Sequence, residues 1–169
     1  MSEPIQRIHE IVTKATAGMT PEQLAQPPAP GKWSVAEILE HLMLTYTGTA
    51  KGMQRCLDEG HPLVTRQSLK QRVLSHLISR LGYFPQGRTA PKQVTPRGEP
   101  VTEILPKIHA SLLAMDAAMD AVEQRFGRGK VLDHPILGAL TPDQWRGFHA
   151  AHAHHHVKQI VAIRARMHS

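Results

Sequence analysis

Apolar residues recur every three or four positions over most of this 169-residue chain, and no strand-like alternation competes with them. Ile5, Ile8, Val12 and Ala15, with Ile11 beside them, predict a helix from Pro4 to about Ala17, ended by Gly18. Thr20-Pro21-Glu22-Gln23 reads as the cap and first turn of a short helix, after which Pro27, Pro28 and Pro30 force an extended connection. Ser34-Val35-Ala36-Glu37 is a capping box: the serine oxygen can take the N3 amide while Glu37 reaches back. It opens a long helix through Ile38, Leu39, Leu42, Met43, Tyr46 and Met53 to about Leu57, stopped by Gly60 and Pro62. Ser68 to Leu81 again has helical spacing, at Leu69, Val73, Leu74 and Leu77. Gly82 to Pro100 then holds four prolines and three glycines, too many for regular structure. A loop of that length in a compact domain is a crossover or a functional lid. Ile104, Ile108, Leu112, Met115, Met119 and Val122 predict a third long helix from Val101 to Phe126, with Pro106 in its first turns and Gly127 at its end. Gly129 to Leu140 reads as loop, and Thr141-Pro142-Asp143-Gln144 caps a last helix running to about Met167. The pattern is all-α: one domain over residues 1–169, a four-helix bundle with a long crossover between its second and third long helices.

Composition supports this and narrows the partners. Aromatic residues are only 4% of the chain, so the core is built from Leu, Ile, Val, Ala and Met, which favours helix packing over a sandwich. The net charge of +6 permits anionic partners, but the basic residues are scattered, with only small groups at Arg66, Lys70 and Arg72 and at Arg125, Arg128 and Lys130. Neither group is interleaved with aromatics, which argues against nucleic acid and for a solvated basic surface. A single cysteine, Cys56, rules out an internal disulfide framework and fits a reducing compartment. The first residues carry no apolar signal core and no stretch approaches a membrane span, so the expected location is the cytoplasm.

The chemistry concentrates late in the chain, where five of the twelve histidines fall between His149 and His156. On a helix at about 100° per residue, Trp145, Phe148, His149, His155, His156, Gln159, Ile160 and Ile163 lie within roughly 80° of His152, while His154 points about 160° away. His152 and His156, at i and i+4, can present their imidazoles to one point, which is half of a metal site. His41 sits in the apolar stripe of the second long helix, beside Ile38 and Leu42. Three imidazoles on core stripes cost desolvation unless something repays them. A divalent metal shared by His41, His152 and His156 does so and leaves a coordination position open, the arrangement of a catalytic site. For any one of these histidines taken alone, a hydrogen bond to a neighbour is the simpler account. The crowded stripe, which His149 and His155 share, also leaves the register open: His149 with His152 is the competing pair, and His149 or His155 is alternatively an extra ligand or a group behind the ligands.

Gly31-Lys32-Trp33-Ser34 through His41-Leu42 resembles the opening of the second helix in the DinB-like metalloprotein superfamily, whose "W-S … H-L" pattern supplies a first ligand. His152-Ala153-His154-His155-His156-Val157-Lys158-Gln159-Ile160 resembles its closing "H-x-x-x-H-x-x-Q-[IL]" pattern, which supplies two more. Phe84-Pro85-Gln86-Gly87, Ala90-Pro91-Lys92 and His134-Pro135-Ile136-Leu137-Gly138-Ala139-Leu140-Thr141 look like further motifs of one of its subgroups. The likeness spans roughly residues 20 to 165. It implies an up-down-down-up bundle, often dimeric, with zinc, nickel or a similar ion on three histidines. Carried over position by position, these are His41, His152 and His156. Some members of the superfamily look like thiol-dependent S-transferases or metal-dependent hydrolases.

Among the other residues, Glu37 is one turn before His41 and could orient a ligand or act as a base, although its capping-box role already explains it. Gln159 reads as a residue behind the ligands or a packing residue. Cys56 lies about 22 Å along the axis from His41, too far to be a ligand, and reads as a small buried hydrophobe. His134 precedes a proline in a loop that could approach the site, whereas His9, His61, His76, His109, His154 and His168 read as surface or packing residues. The leading expectation is a metal-dependent enzyme acting on a small molecule, either as a hydrolase or as a transferase using a low-molecular-weight thiol. Its rival is a non-catalytic bundle whose metal stabilises the fold or is sensed.

Overall fold

Four of the helices, two of the long ones among them, begin where a side chain takes over an amide that the helix itself cannot satisfy. In the computed structural model, which describes residues 1–81 and 90–167, Ser34 Oγ accepts the Glu37 N–H and Glu37 accepts the Ser34 N–H, opening helix α3 (Val35–Glu59). The same reciprocal pair, Thr20 with Gln23 and Thr141 with Gln144, opens α2 (Pro21–Ala25) and α6 (Pro142–Arg166). Ser68 and Gln71 repeat it at the start of α4 (Leu69–Leu81). Helices α1 (Glu3–Thr16) and α5 (Val101–Phe126) complete the set. Left-handed Gly60 ends α3, because only glycine adopts a φ of 75° without strain.

The long helices α1, α3, α5 and α6 form a four-helix bundle, and contacts between them fix its directions. Ser2, before α1, bonds Asp116 and His9 meets the His109 ring, so α1 runs against α5. Ser2 also shares Asp116 with Arg146 at the start of α6, while Arg164 near its end reaches the Ala15 carbonyl, so α1 runs along α6. His41 meets His152 and Thr49 meets His149, so α3 opposes α6. Glu40, in the second turn of α3, holds the backbone just ahead of α5, so those two helices are parallel. The order is up-down-down-up, with the crossover between α3 and α5 that the loop lengths predict. Ile5, Leu39, Tyr46, Met53, Ile104, Leu112, Met115 and Met119 fill the core. Each such apolar side chain contributes roughly 1.5–3 kcal/mol relative to exposure. No helix of the described residues is long and apolar enough to cross a membrane.

Two expectations change. The stretch from Gly129 to Leu140 is not all loop: Leu132–His134 (β1) and Gly138–Leu140 (β2) pair as an antiparallel hairpin. Strands of three residues are too short to show alternation, and what holds this hairpin is remote in sequence. Leu63 donates its N–H to the Val131 carbonyl at 2.9 Å and accepts the Asp133 N–H at 3.2 Å. Cys56 is buried as expected, but it also donates its thiol to the Val131 carbonyl at 3.2 Å, joining α3 to the hairpin. The second change falls in the predicted crossover, where Lys92–Val94 forms one turn of 3-10 helix. The remainder of the predicted lid at 82–89, including Phe84-Pro85-Gln86-Gly87, lies outside the described residues, as does His168.

Candidate metal centre

Helical spacing on α6 and the antiparallel run of α3 bring three imidazoles to one place. His152 Nε2 lies 3.0 Å from His41 Nε2 and 3.0 Å from His156 Nε2. The ligand atoms of the three residues lie within 4.8 Å of one another, and all three residues are buried. The ring of Trp33 packs against His41 at 5.1 Å, and that of Phe148 stacks on His152 at 5.4 Å. The cluster is therefore walled by aromatic carbon.

The outward nitrogens settle what the inward ones can do. His41 Nδ1 is 2.7 Å from the Val94 carbonyl, which can only accept, so Nδ1 carries the proton and a neutral His41 has its lone pair at Nε2. His156 Nδ1 donates to Gln159 Oε1 at 2.8 Å, which leaves its Nε2 as a lone pair too. His152 can offer at most one Nε2–H to these two acceptors. A shared cation is the partner that this donor set accepts at all three positions.

The rings are held neutral, as a metal ligand must be. Burial lowers the pKa of His41, with the Val94 carbonyl working the other way. Burial, then the neighbouring His41, pushes His156 down to about 3. His152 falls well below its ordinary value for the same reasons, burial first and then the adjoining histidines.

The remaining candidates separate cleanly. His149 is fully buried, but its Nε2 pairs with Thr49 Oγ1 at 3.0 Å and its ring stacks on Trp145, so it packs one turn away from the group of three. The structure brings together His41, His152 and His156 rather than the competing pair of His149 with His152. His155 is half-buried and meets Gln159 Nε2 at 3.2 Å, so Gln159 links it to His156 from outside. Glu37 spends its carboxylate on the Ser34 amide at 2.7 Å. His134 Nδ1 accepts the Ile136 and Leu137 amides at 3.1 and 3.2 Å, which makes it the pin of the hairpin turn. Its ring packs on Phe148, the residue stacked on His152. Val94, Glu40 and Thr49 escaped the sequence reading. A backbone carbonyl has no sequence signal, but an acidic residue directly before a core histidine was visible.

A family model matches residues 5–162 and carries the description "Protein of unknown function (DUF1569)". The chain belongs to the DUF1569 family. This DUF1569 chain is similar to the Bacillus subtilis (strain 168) protein YuaE, described as uncharacterized, at 26% identity over 163 residues covering 89% of this chain and 88% of YuaE. Its fold is similar to that of YfiT from Bacillus subtilis, with a TM-score of 0.58 at 20% identity over 99% of this chain and 90% of that one. YfiT is described as a probable metal-dependent hydrolase with an unusual four-helix bundle topology. A second solved structure, the four-helix bundle protein TT2238, aligns with a TM-score of 0.54 at 21% identity over 95% of this chain and 94% of that one. At those identities the solved structures establish the bundle architecture for this DUF1569 chain.

Proposed function

We propose that this chain is a metal-dependent enzyme of the DinB-like superfamily, with a divalent ion, zinc or nickel, held by His41, His152 and His156. The observation that carries the proposal is the convergence of three neutral Nε2 atoms, two of them with tautomers set from outside by Val94 and Gln159. An ion there supplies Lewis acidity toward a water or a thiol, which serves hydrolysis or thiol transfer respectively. The protein's own contribution is orientation and dryness. Val94 and Gln159 keep two rings from rotating, and Trp33 and Phe148 exclude solvent from the side of the cluster they cover. The description of YfiT as a probable metal-dependent hydrolase gives the hydrolytic branch its support. The same reading takes the substrate as a small molecule, the chain as cytoplasmic and the assembly as a homodimer, the last to be checked by light scattering.

The test is elemental analysis of untagged protein by ICP-MS, followed by titration of chelated protein with zinc and nickel. One equivalent bound by wild type and none by His152→Ala is the expected result. Absence of stoichiometric metal, or full retention by His152→Ala, overturns it. Activity of the loaded protein against ester and amide panels, and against electrophiles with a low-molecular-weight thiol, separates the two reactions. A chain that binds metal, loses much of its thermal stability on chelation and turns over none of these belongs to the non-catalytic alternative.

A further inference from the structure

The residue before His41 makes three hydrogen bonds that no part of the metal reading uses. Glu40 is 2% exposed, and its carboxylate accepts the N–H groups of Arg97, Gly98 and Glu99 at 2.8, 3.0 and 3.1 Å. Three successive amides converge on one anion only if the backbone between them turns sharply, and Gly98 supplies that turn at φ 84°. The segment so gripped is the one that begins at Pro91, turns once through Lys92–Val94 and leads into α5. Three residues before Arg97, the same segment presents the Val94 carbonyl to His41 Nδ1 at 2.7 Å. Two consecutive side chains of α3 therefore hold one strap at two points, and the second of those points sets the tautomer of a site histidine.

We infer that Glu40 is a positioning residue for the histidine cluster: it anchors the 91–99 strap so that the Val94 carbonyl fixes His41 with its Nε2 lone pair turned inward. The inference rests on the proposed metal site for its purpose, but the anchoring itself is a property of the metal-free chain. Among the described residues, the hydrogen bonds of the Glu40 carboxylate are those from the Arg97, Gly98 and Glu99 amides. A buried carboxylate is costly to desolvate, and three amide donors are its compensation. Glutamine at this place keeps the shape while losing one acceptor oxygen and turning an NH2 group toward backbone donors. The strap then loses its grip without the loss of any core volume.

The test reads the histidine ring directly. Long-range 1H–15N spectra of metal-free, 15N-histidine-labelled protein report which nitrogen of His41 is protonated. Wild type is expected as the Nδ1–H form, and Glu40→Gln as a mixture of tautomers. Zinc affinity, measured by chelator competition, is expected to fall about 10–100-fold, the usual cost of losing an outer partner of a ligand. Gly98→Ala is the independent variant, since a Cβ there meets nothing within 4 Å and acts only through the left-handed backbone. It should produce the same spectral signature even if Glu40→Gln does not fold. An unchanged Nδ1–H tautomer in both variants overturns the inference. Wild type that binds no zinc, while Glu40→Gln still scrambles the tautomer, sinks the metal reading and leaves this one standing.

Discussion

Helix α6 passes through two buried polar assemblies that are built on opposite principles. Near its start Arg146, 8% exposed in its side chain, bonds Asp116 at 3.2 Å and Glu123 at 3.3 Å and also reaches Asp120. Asp116, 3% exposed, takes its remaining bonds from the backbone N–H and hydroxyl of Ser2. Two turns further on, His152 and His156 face His41 with three neutral nitrogens and at most one shared proton. The first assembly closes on itself: charge meets charge, and the partners come from α5, the segment before α1, and α6. The second is open, because acceptors face acceptors. A buried network that closes reads as structure. One whose facing nitrogens are mostly acceptors reads as a place for something else.

Acid separates the two most strongly. In metal-free protein the buried histidines are neutral when folded but protonate below about pH 6.5 when unfolded. Burial, with His134 nearby, sets His149 at about 3, and burial sets His134 at about 4. The unfolded chain thus binds more protons in the window between those values and 6.5, so stability is complete above pH 6.5 and falls as the pH drops through it. Each fully shifted histidine removes about 2 kcal/mol between pH 7 and pH 5, and His41, His152 and His156 add to His134 and His149 in the same direction. Metal-free protein is expected to unfold near pH 5, as seen by circular dichroism. The buried Asp116–Arg146 pair does not respond between pH 7 and pH 5. Burial works to raise the Asp116 pKa, but the Ser2 donors and Arg146 outweigh it and hold the carboxyl below its ordinary value, so its contribution is lost only as the pH falls below about 4. Flat stability between pH 7 and pH 5 would remove the contrast.

Cutting the closed network is the next largest effect. Arg146→Met leaves Asp116 buried with only the Ser2 donors, and urea unfolding should show a loss of about 3 kcal/mol. That figure is at the low end of the range for broken buried pairs, because Asp120 and Asp143 beside it are largely exposed. A loss below about 1 kcal/mol would place the pair with ordinary surface ion pairs.

How much of this the sequence discloses follows from the range over which each feature is encoded. Ser34 with Glu37, Thr20 with Gln23 and Thr141 with Gln144 announce helix starts within four residues, and the structure has those helices where the boxes stand. The histidine cluster is legible because helix periodicity orders His152 and His156, and an apolar stripe marks His41. His155 shows the limit of that wheel: at its edge, the ring lies half outside. The hairpin was not legible, since Leu63 secures it across 68 residues and its strands are too short to alternate. The His134-Pro135 motif was visible, and its physical reason is the pair of amides that His134 accepts in the turn. Arg146 and Asp116 each sit on a helix as one more charged residue, and only packing reveals that they are buried together.

Between the two assemblies lies a single pair that tests whether closure is the right distinction. His149 is buried like a site histidine, yet it has a partner in Thr49. Thr49→Val should therefore behave as a small version of Arg146→Met, costing about 1.5 kcal/mol by stranding a buried nitrogen.

His152→Leu is the opposite case and the smallest expected change. Leucine takes an imidazole out of an apolar setting and removes the central nitrogen, leaving His41 with Val94 and His156 with Gln159. In chelated protein at pH 7.5 its stability should lie within about 1 kcal/mol of wild type. Zinc at a hundred times its dissociation constant should raise wild type by about 2.7 kcal/mol and leave the variant where it was. If His152→Leu instead costs the metal-free protein as much as Arg146→Met does, the histidines already satisfy one another. The cluster would then be a closed network after all, in the same class as the one that begins the helix.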